Sequence, residues 1–173
     1  MSRYRRVNID GQSLYKTETR RVADAATTGI LPGTFVVIDS NDRWAQSTET
    51  TGRIYVMDVA YHEGLGIRDA VPAGHSGVGN YVEEGRELAI LVPAGTYAKD
   101  SPIKLGTNGQ GALASDDTDT VLGYSPDAVT LTTSFVCVSV WAPLPPPPKP
   151  PNPKATSEHK EQTLCISNRN RCA

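Results

Sequence analysis

Apolar residues in this chain fall in short runs broken by Gly, Pro, Asn and Asp, and no stretch makes a good amphipathic helix. Thr34-Phe35-Val36-Val37-Ile38 is a compact apolar run. The turn cluster Asp39-Ser40-Asn41-Asp42 follows, and Arg43-Trp44-Ala45-Gln46 returns, which predicts a hairpin. Residues 53–59 predict a third strand, in which Ile54 and Val56 and the alternate set Tyr55, Met57 and Val59 are both apolar. The Gly- and Pro-rich stretch from Gly64 to Gly79 reads as an exposed loop. Residues 87–92 predict the next strand, closed by Pro93-Ala94-Gly95. Ile103-Lys104-Leu105, the turn Thr107-Asn108-Gly109 and Ala112-Leu113-Ala114 predict a second hairpin with a strong Asn-Gly signal. A brief strand at 121–124 precedes one long closing strand over 129–141, with Phe135, Val136, Val138, Val140 and Trp141 as expected core. Residues 31–47 and 93–115 share a loose plan of Pro, Gly-Thr-aromatic, apolar strand, Asn-containing turn and Ala-x-Ser. The predicted fold is all-β, a small antiparallel barrel or clip containing two similar hairpins.

Composition supports that reading and adds two appendages. The chain has 173 residues, enough for one domain with extensions, and its 15 Gly and 13 Pro suit turns and strands better than a helical bundle. The net charge of −2 is unevenly placed. Residues 1–21 are net +4 and residues 143–173 net +3, whereas 22–142 hold six basic against fifteen acidic residues, net −9. Three segments follow: an extended N-terminal arm over 1–29, a β-rich body over 30–142, and a Pro-rich rod with a polar tail over 143–173. The arm carries Tyr4, Val7, Ile9, Leu14, Tyr15 and Val22 without a sustained period, too few for a core of its own. A segment of that kind gains order by lying on another subunit. In the rod, eight of the eleven residues from Pro143 to Pro153 are proline, which predicts a semi-rigid polyproline II spacer.

Catalytic and metal chemistry finds little support. His62, His75 and His159 are scattered, away from the spacing of a zinc site. Cys137 reads as a small core residue; Cys165 and Cys172 could close a loop only in an oxidising setting. Gly74-His75-Ser76-Gly77 lacks the second glycine of a nucleophile elbow, position 78 being Val. The glycine-rich turn 106–111 has no Lys-Ser/Thr after it, so it is no phosphate loop. Asp116, Asp117 and Asp119 depart from EF-hand spacing and read as a solvated turn; Glu83, Glu84 and Glu87 read as surface. No cofactor is implied. An acidic body without a stacking platform argues against nucleic acid, and no apolar run reaches the length of a membrane span. The N-terminus lacks a secretory apolar stretch, so assembly in a cytoplasm is expected.

Several segments carry a family resemblance. Thr17-Glu18-Thr19-Arg20-Arg21-Val22-Ala23-Asp24 followed by Ile30-Leu31-Pro32-Gly33-Thr34-Phe35-Val36-Val37 is similar to the arm and first strand of bacteriophage capsid decoration (cement) proteins. Val92-Pro93-Ala94-Gly95-Thr96-Tyr97, Ile103-Lys104-Leu105 and Asn108-Gly109 resemble the central hairpin of a β-tulip module. Val121-Leu122-Gly123-Tyr124 leading into Val136-Cys137-Val138-Ser139-Val140-Trp141 resembles its closing pair. The resemblance spans roughly 8–141 and implies a non-enzymatic structural protein on the outer capsid surface of a virion, assembled in the host cytoplasm. It implies a homo-oligomer, often a trimer, whose arm lies on the major capsid protein. Carried onto this chain, the capsid contacts would be Tyr4, Arg5, Arg6, Lys16, Arg20 and Arg21. The Pro-rich rod and Cys-bearing tail depart from the family, and are expected either to project outward or to clasp a neighbour. The alternative reading is a β-clip or barrel-sandwich binding module, for instance for carbohydrate. A lipoyl-type carrier is disfavoured because the turns Asn41-Asp42 and Asn108-Gly109 lack a lysine. A hydrolase using Glu83, Glu84 or the Asp116–Asp119 cluster ranks last.

Overall fold

Among the described residues, two hydrophobic clusters, one inside a barrel and one against its outer wall, organise the fold. The computed structural model describes Val7, residues 16–83, 85–116 and 118–132, and the backbone of residues 136–141. Tyr4, Arg5, Arg6, Glu84, Asp117, Phe135, the proline run, His159, Cys165 and Cys172 lie outside the described residues, as do the side chains of Val136, Cys137, Val138, Val140 and Trp141.

The described elements are all β apart from two short 3-10 turns, Tyr61–Glu63 and Thr107–Gly109. Five strands form a closed barrel: β1 (Thr17–Val22), β2 (Phe35–Ile38), β3 (Arg43–Gln46), β4 (Tyr55–Met57) and β5 (Ser76–Tyr81), in the order β1-β3-β2-β4-β5. A second sheet has the order β6-β12-β10-β8-β9. It contains β6 (Glu87–Val92), β8 (Pro102–Leu105), β9 (Gly111–Leu113), β10 (Val121–Tyr124) and β12 (Val136–Trp141). The short strands β7 (Gly95–Tyr97) and β11 (Val129–Leu131) pair with each other.

The all-β barrel expected from the pattern is present, and both hairpins lie where the turn residues put them. Asp39 Oδ1 accepts from the backbone N–H of Asn41 and Arg43 at 2.8 and 2.9 Å, and Asp42 takes φ 59° to reverse the chain. The two segments sharing a sequence plan part company: one hairpin is in the barrel, the other in the second sheet.

Four expectations need correction. The barrel is not wholly antiparallel, because β1 and β3 pair parallel, Arg21 beside Arg43 and Val22 beside Trp44. A closed ring of five strands cannot alternate direction at every interface, so at least one pair must be parallel. Residues 17–22, the end of the basic stretch expected to lie in the arm, form strand β1, held by β5 from Thr17↔Asn80 to Arg21↔Ser76. The supposed loop ends early, since residues 76–81 are strand β5. Finally, the long closing strand is two strands with different partners, β11 on β7 and β12 on β6.

Strand β4 shows why both of its faces are apolar. Tyr55 and Met57 enter the barrel with Val22, Val36 and Trp44, while Ile54 and Val56 join Phe35 in the outer cluster, against Leu88, Ile90 and Val92 of β6 and Ile103 of β8. Period-2 alternation thus feeds two cores at once. Val7 belongs to the outer cluster, is fully buried, and accepts a 2.7 Å hydrogen bond from the N–H of Ala89.

Candidate functional site

The polar chemistry of the barrel gathers at one mouth. Along β1, Val22 points into the barrel, so Arg20 and Glu18 follow on the same side towards the opening. Tyr55 Oη donates to Glu18 Oε1 at 2.9 Å, Arg20 pairs with Glu18 at 2.8 Å, and Arg20 Nε donates to Asp42 Oδ1 at 2.8 Å. The chain closes its own barrel with this ladder; Trp44, edge-on to Tyr55 at 5.1 Å between centroids, continues it inward, and half-buried Tyr81 flanks Tyr55 at 5.4 Å. The Asp42 hydrogen bond raises the Arg20 pKa, and burial followed by the Glu18 hydrogen bond raises that of Tyr55. Sequence reading missed this ladder because its members lie 37 and 22 positions apart, with no local signal to join them.

The three described basic residues predicted as contacts are therefore not equivalent. Arg20 is half-buried in the mouth. Lys16 is exposed and pairs with Glu83. Arg21 alternates away from the interior, is exposed, and stands beside Arg43, which is itself paired with Asp24.

Two further carboxylates serve structure. Glu63 receives the N–H of Ser76 at 2.9 Å and meets His75 Nδ1 at 2.5 Å, fastening the 3-10 turn Tyr61–Glu63 to the start of β5. Asp119 accepts from Lys104 Nζ at 2.9 Å and from the N–H groups of Ser115 and Asp116 at 3.0 and 3.1 Å. Among the described residues no group of three His, Cys, Asp or Glu converges to hold a metal, and no helix is long and apolar enough to cross a membrane. Both carboxyls are held below the ordinary carboxylate range, Glu63 chiefly by His75 and Asp119 chiefly by Lys104. A depressed folded pKa stabilises the fold above the unfolded titration, and that contribution disappears as pH falls through the folded value. Stability is therefore expected to drop on acidification below about pH 4. Urea midpoints measured at pH 7 and pH 3 should differ less in Asp119→Asn and Glu63→Gln than in the parent.

Over residues 1–140 the sequence matches the family described as XM1 gp53 minor capsid protein. The chain belongs to this family. It is thus a structural protein of a phage capsid, and the match takes in the basic arm, both sheets and nearly all of β12. It stops just before the proline run that starts at Pro143, so residues 143–173 lie outside the matched stretch. No curated protein matches the chain.

Proposed function

We propose that this minor capsid protein is a decoration (cement) protein that binds the outer surface of an expanded phage head. It acts as a homo-oligomer, a trimer by analogy with the decoration proteins it resembles, and its N-terminal arm lies on neighbouring copies of the major capsid protein. The observation that carries this reading is the position of Val7. Residues 1–6 hold Arg3, Arg5 and Arg6 and no acidic residue, and they precede a side chain locked into the core of an acidic body. A basic segment rooted in this way suits strand pairing and charge complementarity with an acidic capsid edge. Exposed Arg21 adds a further basic side chain on β1, and Lys16, paired with Glu83, stands just before that strand. Many weak contacts on one shell then sum through multivalency.

Sedimentation with expanded heads from the same source tests this reading. The full-length protein is expected to co-sediment at fixed stoichiometry, and a chain lacking residues 1–6, which keeps Val7 and the whole barrel, is expected to stay behind. Full occupancy by that shortened chain would overturn the arm's role. A chain lacking residues 143–173 should still decorate heads if the tail projects outward; loss of binding would make the tail a clasp.

A further inference from the structure

A cleft of about 460 Å³ opens where the barrel meets the second sheet, a volume within the range of natural ligand sites. Its walls come from the segment before β2, the end of β3, the loop before β5, strand β6 and the turn between β8 and β9. Its lining differs in kind from the rest of the body. Although residues 22–142 are net −9, no carboxylate and no aromatic ring lines this cleft among the described residues. The polar groups include the amides of Gln46, Asn108 and Gln110 and the guanidinium of Arg68. None of these four side chains is hydrogen-bonded or ion-paired to another described residue. Arg68 and Asn108 are exposed.

The turn carrying two of the amides is held firmly in place. Gly109 takes φ 69°, and a methyl group there would lie 2.5 Å from the carbonyl oxygen of Phe35 and 2.7 Å from Cγ2 of Thr34. The turn is thus pressed onto the barrel wall with Asn108 at φ 55° beside it. Leu31 and Leu91 add apolar surface between the polar groups.

We propose that this cleft binds an extended acidic peptide segment of a neighbouring virion subunit. Side-chain amides both donate and accept, as the edge of an extended backbone requires, and a guanidinium receives a carboxylate in two parallel hydrogen bonds. The described lining residues offer no aromatic stacking surface, which disfavours a sugar ring. This inference rests on membership of a capsid protein family and not on the role given to the arm.

The test is an NMR titration of the full-length, isotopically labelled protein with three probes: a short peptide alternating Thr and Glu, its Thr-Lys counterpart, and an oligogalacturonate. The Glu peptide is expected to shift the amides of Gly29, Ala70 and Gln110 saturably, and added salt to weaken it. Arg68→Ala should lower its affinity about tenfold, as loss of a charge-assisted pair does, with Arg68→Lys recovering part of it. Equal response to the Lys peptide, response to the uronate alone, shifts confined to other surfaces, or unchanged affinity in Arg68→Ala would each overturn the proposal. Because no head is present, failure here is distinct from failure of the arm to bind shells.

Discussion

Gly79→Ala is expected to destabilise the barrel by about 3 kcal/mol, at the upper end of the usual cost of overpacking a core. The methyl group would lie 2.5 Å from Cη2 and 2.6 Å from Cζ2 of Trp44, closer than two carbons can approach. The ring cannot readily yield. Trp44 is fully buried, its Nε1 donates to the Gly77 carbonyl oxygen at 2.9 Å, and its face meets Tyr55 edge-on. Gly77 is similarly confined, since a methyl there would lie 2.9 Å from Sδ of Met57. The alternating glycines of β5 therefore exist because a large indole fills the barrel and needs bare backbone against it. Thermal unfolding followed by near-ultraviolet circular dichroism should show a melting temperature roughly 10 °C lower in Gly79→Ala. Combining it with Trp44→Phe, which shortens the ring, should cost clearly less than the sum of the two single changes. Additive costs would mean that the strand moves aside and the close approach is not what the glycine serves.

Truncation from the N-terminus is expected to have two steps of very different size. Removing residues 1–15 takes away the burial of Val7 and its bond to Ala89, about 2 kcal/mol for a valine in a core, and leaves a cooperative fold. Removing residues 1–22 deletes β1, which pairs with β5 along one edge and β3 along the other. The ring then opens, Val22 no longer fills the interior, and the exposed edges of β3 and β5 have no partner within the barrel. The expected cost rivals the whole stability of a domain, about 5–15 kcal/mol. Urea unfolding should keep a single steep transition in the first truncation and lose it in the second. A cooperative transition after removal of residues 1–22 would show that the second sheet folds without the closed barrel. The contrast also limits how the arm is tested, since binding lost with β1 would report unfolding.

Much of the fold was legible locally. The bounds of β3, β6 and β10 follow from apolar runs ended by turn residues, and both hairpins follow from Asp and Asn-Gly chemistry acting over four or five positions. Strand β5 was not legible, because a glycine that makes room for a neighbouring indole reads the same as a glycine in a loop. Strand β1 read as arm because its basic and polar side chains alternate with a single fully buried residue, Val22. The Tyr55–Glu18–Arg20–Asp42 ladder that closes the barrel mouth has no signature at all in the order of residues. The cleft bearing Arg68 and Asn108 is likewise assembled from five separate stretches.

By itself, then, the sequence determined the class of structure, the turns, the separation of an acidic body from two basic ends, and the resemblance to capsid proteins. Each of these depends on composition or on interactions between near neighbours in the chain. Tertiary structure alone decided that a five-strand ring closes through a parallel pair, that Val7 roots the arm in the core, and which basic side chains stay outside. Those outcomes depend on which distant strands meet, and the order of residues along the chain does not encode strand partnership locally.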